Sequence, residues 1–293
     1  MTVGQHAKAT VALVAIALNL LVWCVPLLLL FPLKLLVPPM RPWFARRAAD
    51  VYRAAVTVDD WWLGAVAGAS WQQPALDLNA DETCVVISNH VSWADIFVLQ
   101  SVVSRRGPIL KFLCKRELAW IPVLGLIFLA FDFPMLARAR SSARELPART
   151  QRSRAPRRGD IERIREACAG LADAPAAMLA FVEGTRFREA KRDPGAALER
   201  LLPPRVGGFA AILAALEPLR VTVVDVALVY PEPRPAPLFW RFLAGDAGPV
   251  DVVVQATPAG VIAKEGAKPW LERRWVEKDA LLRSAATAAE QPR

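Results

Sequence analysis

The apolar positions of this chain fall into three kinds of run, and each kind points to a different element. The first kind lies near the N-terminus. Residues 9–37 are almost wholly apolar, broken by Asn19, Pro26, Pro32 and Lys34. As helix, this run would extend about 43 Å at 1.5 Å per residue, whereas one bilayer crossing takes about 20 residues. It is therefore long for one span and short for two. Pro26 and Pro32 each remove a backbone donor and should bend a helix. Two readings fit: one span ending near Pro26 with an interfacial tail, or a bent hairpin sunk in one leaflet.

The second kind of run is short, continuous and rich in β-branched residues. Residues 84–87, 109–113, 178–182, 221–230 and 250–255 are expected to be strands, with 84–87 and 178–182 buried. The third kind repeats at helical spacing. It covers 43–76 as one or two helices carrying Trp61, Trp62 and Trp71, then 94–104, 121–131 with Pro122 in its first turn, 160–172, 209–216, and an Ala-rich tail after Glu277. Strands alternating with helices imply an α/β fold. The expectation is a single domain, a central mainly β sheet flanked by helices, preceded by an apolar membrane-binding helical segment. The boundaries are 1–40 for the anchor and 41–293 for the domain.

Turn signals separate these runs. Residues 77–82 form a polar turn, and Arg105-Arg106-Gly107-Pro108 is a basic break with stop signals. Residues 133–138 are a short extended piece ending in arginine. The stretch 139–158 is arginine-rich and fits a solvated linker or a membrane-surface loop equally well. Residues 187–208 form a charged loop.

Composition narrows the setting. The chain carries 37 Lys and Arg against 28 Asp and Glu, a net charge of +9, which suits an anionic partner. A hydrophobic fraction of 54% and ten tryptophans favour a membrane surface over nucleic acid, since indole prefers the headgroup zone. For any one tryptophan, a place in the core is an equal expectation. No nucleic-acid recognition motif accompanies the arginines. Val37-Pro38-Pro39-Met40-Arg41-Pro42 follows the apolar run where a signal peptide would show a small-residue cleavage site. Arg41, Arg46, Arg47 and Arg53 then place the following side in the cytoplasm. Cys24, Cys84, Cys114 and Cys168 form no Cys-x-x-Cys pair and are expected as free buried thiols.

Two polar turns carry the candidate chemistry. Ser88-Asn89-His90-Val91-Ser92-Trp93-Ala94-Asp95 follows the strand at 84–87 and leads into a helix. The other of the chain's two histidines is His6, in the N-terminal tail. In one continuous helix, His90 and Asp95 would lie about 140° apart. They can meet if His90 sits in the turn and Asp95 in the first helical turn, three residues after a Ser92 N-cap. Asp95 would then accept from His90 Nδ1–H and leave Nε2 as a base. The same residues also suit a helix cap and nothing more. The second turn, Glu183-Gly184-Thr185-Arg186, follows the strand at 178–182. Gly184 permits positive φ, and backbone N–H groups beside an arginine fork suit a phosphate. A plain strand-end turn is the alternative.

In this order and separation the two turns resemble the glycerolipid acyltransferases, the lysophosphatidic acid acyltransferase group. The matching residues are Asn89, His90 and Asp95 in Asn-His-x-x-x-x-Asp. Next come Lys115-Arg116-Glu117-Leu118, Ile121-Pro122 and Gly125 in a Lys-x-x-Leu…Ile-Pro…Gly block. Arg138 after a short strand, Glu183 to Arg186, and the late strand ending Val229-Tyr230-Pro231 complete the pattern. The resemblance covers about 80–232. The run 181–187 with Leu202-Pro203-Pro204 resembles the branch containing the bacterial YihG-type and the lysocardiolipin-type enzymes. The block at Arg138 departs from the usual form, so its arginine is Arg138 or Arg140.

The resemblance implies transfer of a fatty acyl group from acyl-CoA or acyl carrier protein to the hydroxyl of a lysophospholipid, 1-acyl-glycerol-3-phosphate first among them. His90 would be the base and Asp95 its orienter. Lys115, Arg138 and Arg186 would hold the acceptor phosphate, with Glu183, Gly184 and Thr185 shaping the turn. An oxyanion donor would come from 123–125 or from the Gly184 turn. No metal or organic cofactor is implied beyond the acyl donor as co-substrate. The expected place is the bacterial inner membrane, with the domain on its cytoplasmic face. Two alternatives stand beside this reading: an acyltransferase for another lysolipid, such as lysophosphatidylglycerol or lysocardiolipin, and a catalytically silent basic membrane-bound interaction protein. A lipase is disfavoured because no Gly-x-Ser-x-Gly elbow is present.

Overall fold

A computed structural model describes residues 1–112, 114–133, 135–136, 158–192, 195, 197–231 and 236–290. Its centre is a five-stranded sheet built from β1 (Cys84–Ser88), β2 (Leu110–Phe112), β5 (Ala177–Ala180), β6 (Thr222–Val229) and β7 (Asp251–Pro258), in the order β2-β5-β1-β6-β7. β3 (Cys114–Lys115) and β4 (Met135–Leu136) form a separate parallel pair. In the main sheet β2, β5, β1 and β6 run parallel, and β7 returns antiparallel at the edge. β1 is buried along its whole length, which is why its sequence shows no polar alternation. β7, at the edge, is exposed at five of its eight positions. The α/β architecture therefore follows the expected order of strands, with β7 reaching Pro258.

The N-terminal segment is one helix, not a bent hairpin, and it does not end near Pro26. α1 (Val3–Leu36) is one 34-residue helix that continues through Pro26 and Pro32. It starts six residues before the apolar run, because Thr2 and Gln5 form a capping box in which each side chain accepts from the other's backbone N–H. Contacts along its inner face outweigh the two missing helical bonds. Ala9, Ala12, Ile16, Asn19, Cys24 and Leu27 are buried at three- to five-residue spacing. Asn19 Nδ2 donates to Ala55 O and to Asp59 Oδ1, both at 2.9 Å. Lys34 Nζ donates to Leu129 O and Ala130 O and pairs with Asp132 at 2.7 Å. The opposite face carries Val11, Val14, Leu18, Leu21, Val25 and Leu28, all exposed. α1 is long and apolar enough to cross a membrane.

α2 (Arg41–Trp61) packs antiparallel in sequence order behind α1 and ends in a wide π turn at Trp62–Ala67, closed by Gly68 at φ +83°. Burial lifts the carboxyl of Asp59 to about 7 and that of Asp60 to about 6, against the hydrogen bonds they accept from Asn19 and Ser101. α3 (Ala94–Leu99), continued by a π turn to Ser104, follows β1, and α4 (Pro122–Ala130) lies against α1. α5 (Arg158–Ala169) and α6 (Val206–Leu216) pack together. α7 (Leu238–Leu243) and α8 (Ala259–Glu265) are short helices absent from the expectation.

The final helix begins ten residues earlier than expected. α9 spans Ala267–Glu290, opened by Gly266 at φ +93° with Pro269 in its first turn. Trp270, Leu271 and Trp275 are buried on its inner face. Lys278, itself buried, reaches Asp225 Oδ1 of β6 at 2.5 Å and donates to Val226 O at 3.0 Å; Arg274 closes on Asp225 Oδ2 at 2.8 Å. A mid-strand aspartate is thereby neutralised by two cations from one helix, which fixes α9 against the sheet. Cys24, Cys84 and Cys168 are free and buried, as expected; the side chain of Cys114 lies outside the described residues. The tryptophans divide: Trp270 and Trp275 are in the core, while Trp43, Trp61, Trp93 and Trp120 are exposed.

Candidate active site

The two polar turns meet because their strands are neighbours. β1 and β5 pair in parallel, with Ile87 opposite Ala180. His90 and Glu183 therefore emerge at the same carboxyl-terminal edge, where ligands bind in open α/β sheets. Asn89 makes the exit from β1 possible. The β1–β6 register ends at Ser88 and Val226. Beyond it, Asn89 Nδ2 donates to Leu228 O and Asn89 Oδ1 accepts from Leu228 N, each at 2.9 Å. The side-chain amide continues the ladder while the backbone turns away. Phe187 N then donates to His90 O at 2.6 Å and ties the second turn to the first.

Asp95 is fully buried and is the most heavily bonded group in the site. Its Oδ2 meets His90 Nδ1 at 2.8 Å and accepts from Val91 N at 2.6 Å and Ser92 N at 2.9 Å. Its Oδ1 accepts from the buried hydroxyl of Tyr230 at 2.6 Å. With Asp95 as acceptor, Nδ1 carries the proton and Nε2 is the basic nitrogen. Among the described residues nothing bonds to Nε2, and the ring is 15% exposed. Phe181 stacks on the imidazole at 3.9 Å between centroids and 14° between planes, which shields one face from water.

The helix boundary falls one residue later than expected. The helix starts at Ala94, with Trp93 at the N-cap position, and Ser92 Oγ accepts from Ala94 N at 3.2 Å. Asp95 is the second helical residue, and its carboxylate accepts from Ser92 N at 2.9 Å, the acidic half of a capping box, while also reaching His90 Nδ1. The bare cap reading would leave no reason for the bond to Nδ1.

Glu183 is a clamp between three segments. Its Oε1 accepts from His90 N and its Oε2 from Leu202 N, both at 2.9 Å. Burial raises its pKa to about 7; the two N–H bonds and the nearby Lys278 act in the opposite direction. Both carboxylate oxygens are thus on main-chain donors, so Glu183 sets the position of the His90 turn.

Gly184 has φ +68°, as the sequence suggested. A Cβ there would lie 2.6 Å from Arg205 Nε and 2.8 Å from its Cζ, so the glycine lets this guanidinium lie across the turn. Thr185 Oγ1 accepts from Lys191 Nζ at 2.5 Å, and Lys191 also donates to Arg186 O at 3.3 Å. The pKa of Lys191 is lowered by desolvation and by Arg188, Arg186 and Arg205. Four cations therefore crowd one glycine turn. Arg186 stands 5.1 Å over the ring of Trp93, which places it on the His90 side of the turn.

His90, Asp95, Glu183, Gly184, Thr185 and Arg186 are brought together. Lys115 is in β3, but its side chain lies outside the described residues, as do Arg138, Arg140 and most of the loop 139–158. Gly184 N donates to Phe181 O and Gly125 N to Ile121 O, so these two amides are engaged within their own turns. In the sequence, Tyr230 and Phe181 stand out only as members of matching runs, and Arg188, Lys191 and Arg205 carry no individual signal. Tyr230 is one of two tyrosines in the chain and ends a strand at a proline, its only signal. Arg188, Lys191 and Arg205 fall in the charged loop 187–208, where charge alone does not single them out.

The fold and this site describe an acyltransferase domain. The family model described as Acyltransferase matches residues 73–230, which is 158 of 293 residues. The chain belongs to that family. It is 24% identical over 248 residues to 1-acyl-sn-glycerol-3-phosphate acyltransferase 2 of Arabidopsis thaliana, covering 80% of this chain and 60% of that protein. It is 25% identical over 236 residues to 1-acyl-sn-glycerol-3-phosphate acyltransferase delta of Bos taurus, covering 75% and 58%. The chain thus spans about 60% of the length of these curated relatives. The crystal structure of the 1-acyl-sn-glycerophosphate acyltransferase PlsC from Thermotoga maritima shares the fold, with a TM-score of 0.51 and 14% identity over 95% of this chain and 99% of that one.

Proposed function

We propose that this protein transfers a fatty acyl group from acyl-CoA or acyl carrier protein to the free hydroxyl of a lysophospholipid, with 1-acyl-glycerol-3-phosphate as the acceptor. The observation that carries this reading is His90, its Nδ1 held by buried Asp95 and its Nε2 facing outward, beside a turn crowded with cations. The names of the curated relatives support the same acceptor.

In this mechanism Nε2 takes the hydroxyl proton as the acceptor oxygen attacks the thioester carbonyl. Asp95 stabilises the imidazolium that forms and keeps its orientation. The tetrahedral intermediate collapses, the carbon–sulfur bond breaks, and the leaving thiolate takes the proton back from His90. Arg186, with Arg205 and Lys191, holds the acceptor phosphate and so places the hydroxyl near Nε2. Lys115 and Arg138 are proposed for the same phosphate. The reaction written this way balances with the two substrates and needs no metal or organic cofactor.

The setting we propose is the cytoplasmic leaflet of a bacterial inner membrane. α1 meets the domain from His6, which bonds to Trp240, to Lys34, which bonds to Asp132. With partners along its length, it seats the domain by immersing its exposed apolar face, and residues 1–40 act as an anchor joined to the domain. The test is mass spectrometry of products from the full chain in vesicles, offered a panel of lysolipids with acyl-CoA or acyl carrier protein. Phosphatidic acid formed faster than any other product supports the acceptor. Preferential acylation of lysophosphatidylglycerol or lysocardiolipin would replace it, and no product with any pair would refute the activity.

A further inference from the structure

A second cavity, of about 650 Å³, lies at the other end of the sheet. Residues 80–81, 109 and 173–175 line it, and each of these stretches leads into the amino-terminal end of β1, β2 or β5. His90 and Glu183 follow the carboxyl-terminal ends. The length of the strands, roughly 13 Å for four residues, separates the two sites. The last turn of α1, the first half of α2 and the residues after α4 complete the wall.

The lining is basic. Lys34, Arg41, Arg46, Arg47, Arg53 and Lys111 face four carboxylates, those of Asp50, Asp81, Asp132 and Asp173. Some of this charge is internally spent: Lys34 pairs with Asp132, and Asp50 lies between Arg47 and Arg53. Arg41 and Arg46 have no carboxylate partner among the described residues. Their Nε atoms meet the carbonyls of Lys34 and Pro42 at 3.3 and 3.4 Å, so their terminal nitrogens remain to face the cavity.

Lys111 is the decisive group. It projects from β2, is 2% exposed, and lines this cavity. Among the described residues no hydrogen bond or ion pair reaches its Nζ. The carboxylate that acts on it through space, Asp132, is already held by Lys34 at 2.7 Å. Burial lowers its pKa to about 8, which still leaves most of it charged at neutral pH. The residue is nearly sealed from bulk solvent, and it stands at the base of a cationic cavity that it lines.

We propose that this cavity is a phosphate-binding site separate from the His90 centre, with Lys111 at its floor and Arg41 and Arg46 at its rim. Guanidinium forks match phosphate oxygens in pairs, and a lysine supplies the point charge between them. The phosphate belongs to an anionic lipid headgroup or to a soluble phosphate compound. The exposed Leu35, Leu36 and Trp43 beside the rim bring lipid within reach.

The test follows amine labelling of Lys111 in the full chain by mass spectrometry. One arm titrates inorganic phosphate against chloride at equal ionic strength. The other compares vesicles of phosphatidylglycerol with vesicles of phosphatidylcholine. Because the signal is read at Lys111, phosphate held on the Gly184 turn is not counted. Protection by inorganic phosphate alone identifies a soluble ligand, and protection by phosphatidylglycerol alone a lipid headgroup; protection by both marks one site open to either. Arg41→Gln with Arg46→Gln should weaken protection about tenfold or more, as expected for losing charge-assisted bonds. These rim residues lie outside the core, so the double variant is expected to fold. Lys111→Met should reduce the phosphate-dependent rise in thermal midpoint to the share contributed by phosphate on the Gly184 turn, and His90→Ala should leave the whole rise unchanged. Protection by neither probe, or protection unaltered in the rim variant, would overturn the proposal.

Discussion

Removing one oxygen atom tests how the imidazole is held. Tyr230→Phe deletes the hydroxyl that donates to Asp95 Oδ1 at 2.6 Å and leaves the ring in place. Asp95 is fully buried and Tyr230 is buried beside it, so no water replaces the lost donor at low cost. Hydrogen bonds to charged groups contribute about 1.5–3 kcal/mol. Asp95 keeps its three bonds at Oδ2, so it stays close to His90 but loses the constraint on its other oxygen. If that energy serves the geometry of the imidazolium, kcat should fall about ten- to a hundredfold, with little change in either KM, since Tyr230 is not placed on a substrate. Steady-state kinetics on the purified full chain in mixed vesicles measures this, varying acyl-CoA and 1-acyl-glycerol-3-phosphate in turn. A double-mutant cycle with Asp95→Asn separates catalysis from stability. Once Asp95 is neutral, Tyr230→Phe should cost several-fold less. A kcat within twofold of the wild type, or a cost that simply adds to that of Asp95→Asn, would refute the assignment.

The other predictions use the same site and the buried carboxyls. Gly184→Ala should fold less stably by about 1–2 kcal/mol because of its left-handed backbone, and should raise acceptor KM because its Cβ displaces Arg205; a thermal melt and acceptor titration decide this. Arg186→Lys should weaken acceptor use about ten- to a hundredfold through the loss of fork geometry, with donor KM unchanged; a rise in donor KM alone would place Arg186 in the donor site. Asp59 and Glu183 both have folded-state pKa values raised to about 7, above 3.8 and 4.5 without burial. The folded state holds these protons more tightly, so the stability they contribute is complete below about pH 4 and is lost as pH rises to 7. Denaturant midpoints should fall across that range, and Asp59→Asn should flatten the fall; an unchanged slope would exclude Asp59 as a cause.

What could be read from the sequence was local. The strands were visible as short, mainly apolar runs, and the position of His90 between a strand and a helix followed from the change of period at Ser88. Gly184 could be assigned positive φ because so few residues tolerate it. The rest depended on which elements became neighbours. Nothing in the order of residues says that β1 and β5 pair, and that pairing alone places Glu183 beneath His90. Tyr230 lies 135 residues from Asp95, and a strand-end tyrosine has no local mark of its partner. The helix through Pro26 and Pro32 defeated a local rule because α1 is held by residues of α2, α4 and α7. The early start of α9 was signalled by Gly266 and Pro269, and Trp270, Leu271 and Trp275 form its buried face. The cavity around Lys111 had no sequence signature, since a lysine inside a short strand reads as an edge residue.

The central claim is that His90 is the base of an acyl transfer. The most direct measurement is single-turnover transfer of labelled acyl groups to 1-acyl-glycerol-3-phosphate by purified wild-type and His90→Ala chains, with vesicle binding measured on the same samples. General-base catalysis contributes about 10²–10⁴-fold, so His90→Ala should lose at least a hundredfold in rate while binding vesicles as the wild type does. Transfer by His90→Ala at a rate near that of the wild type would contradict the account.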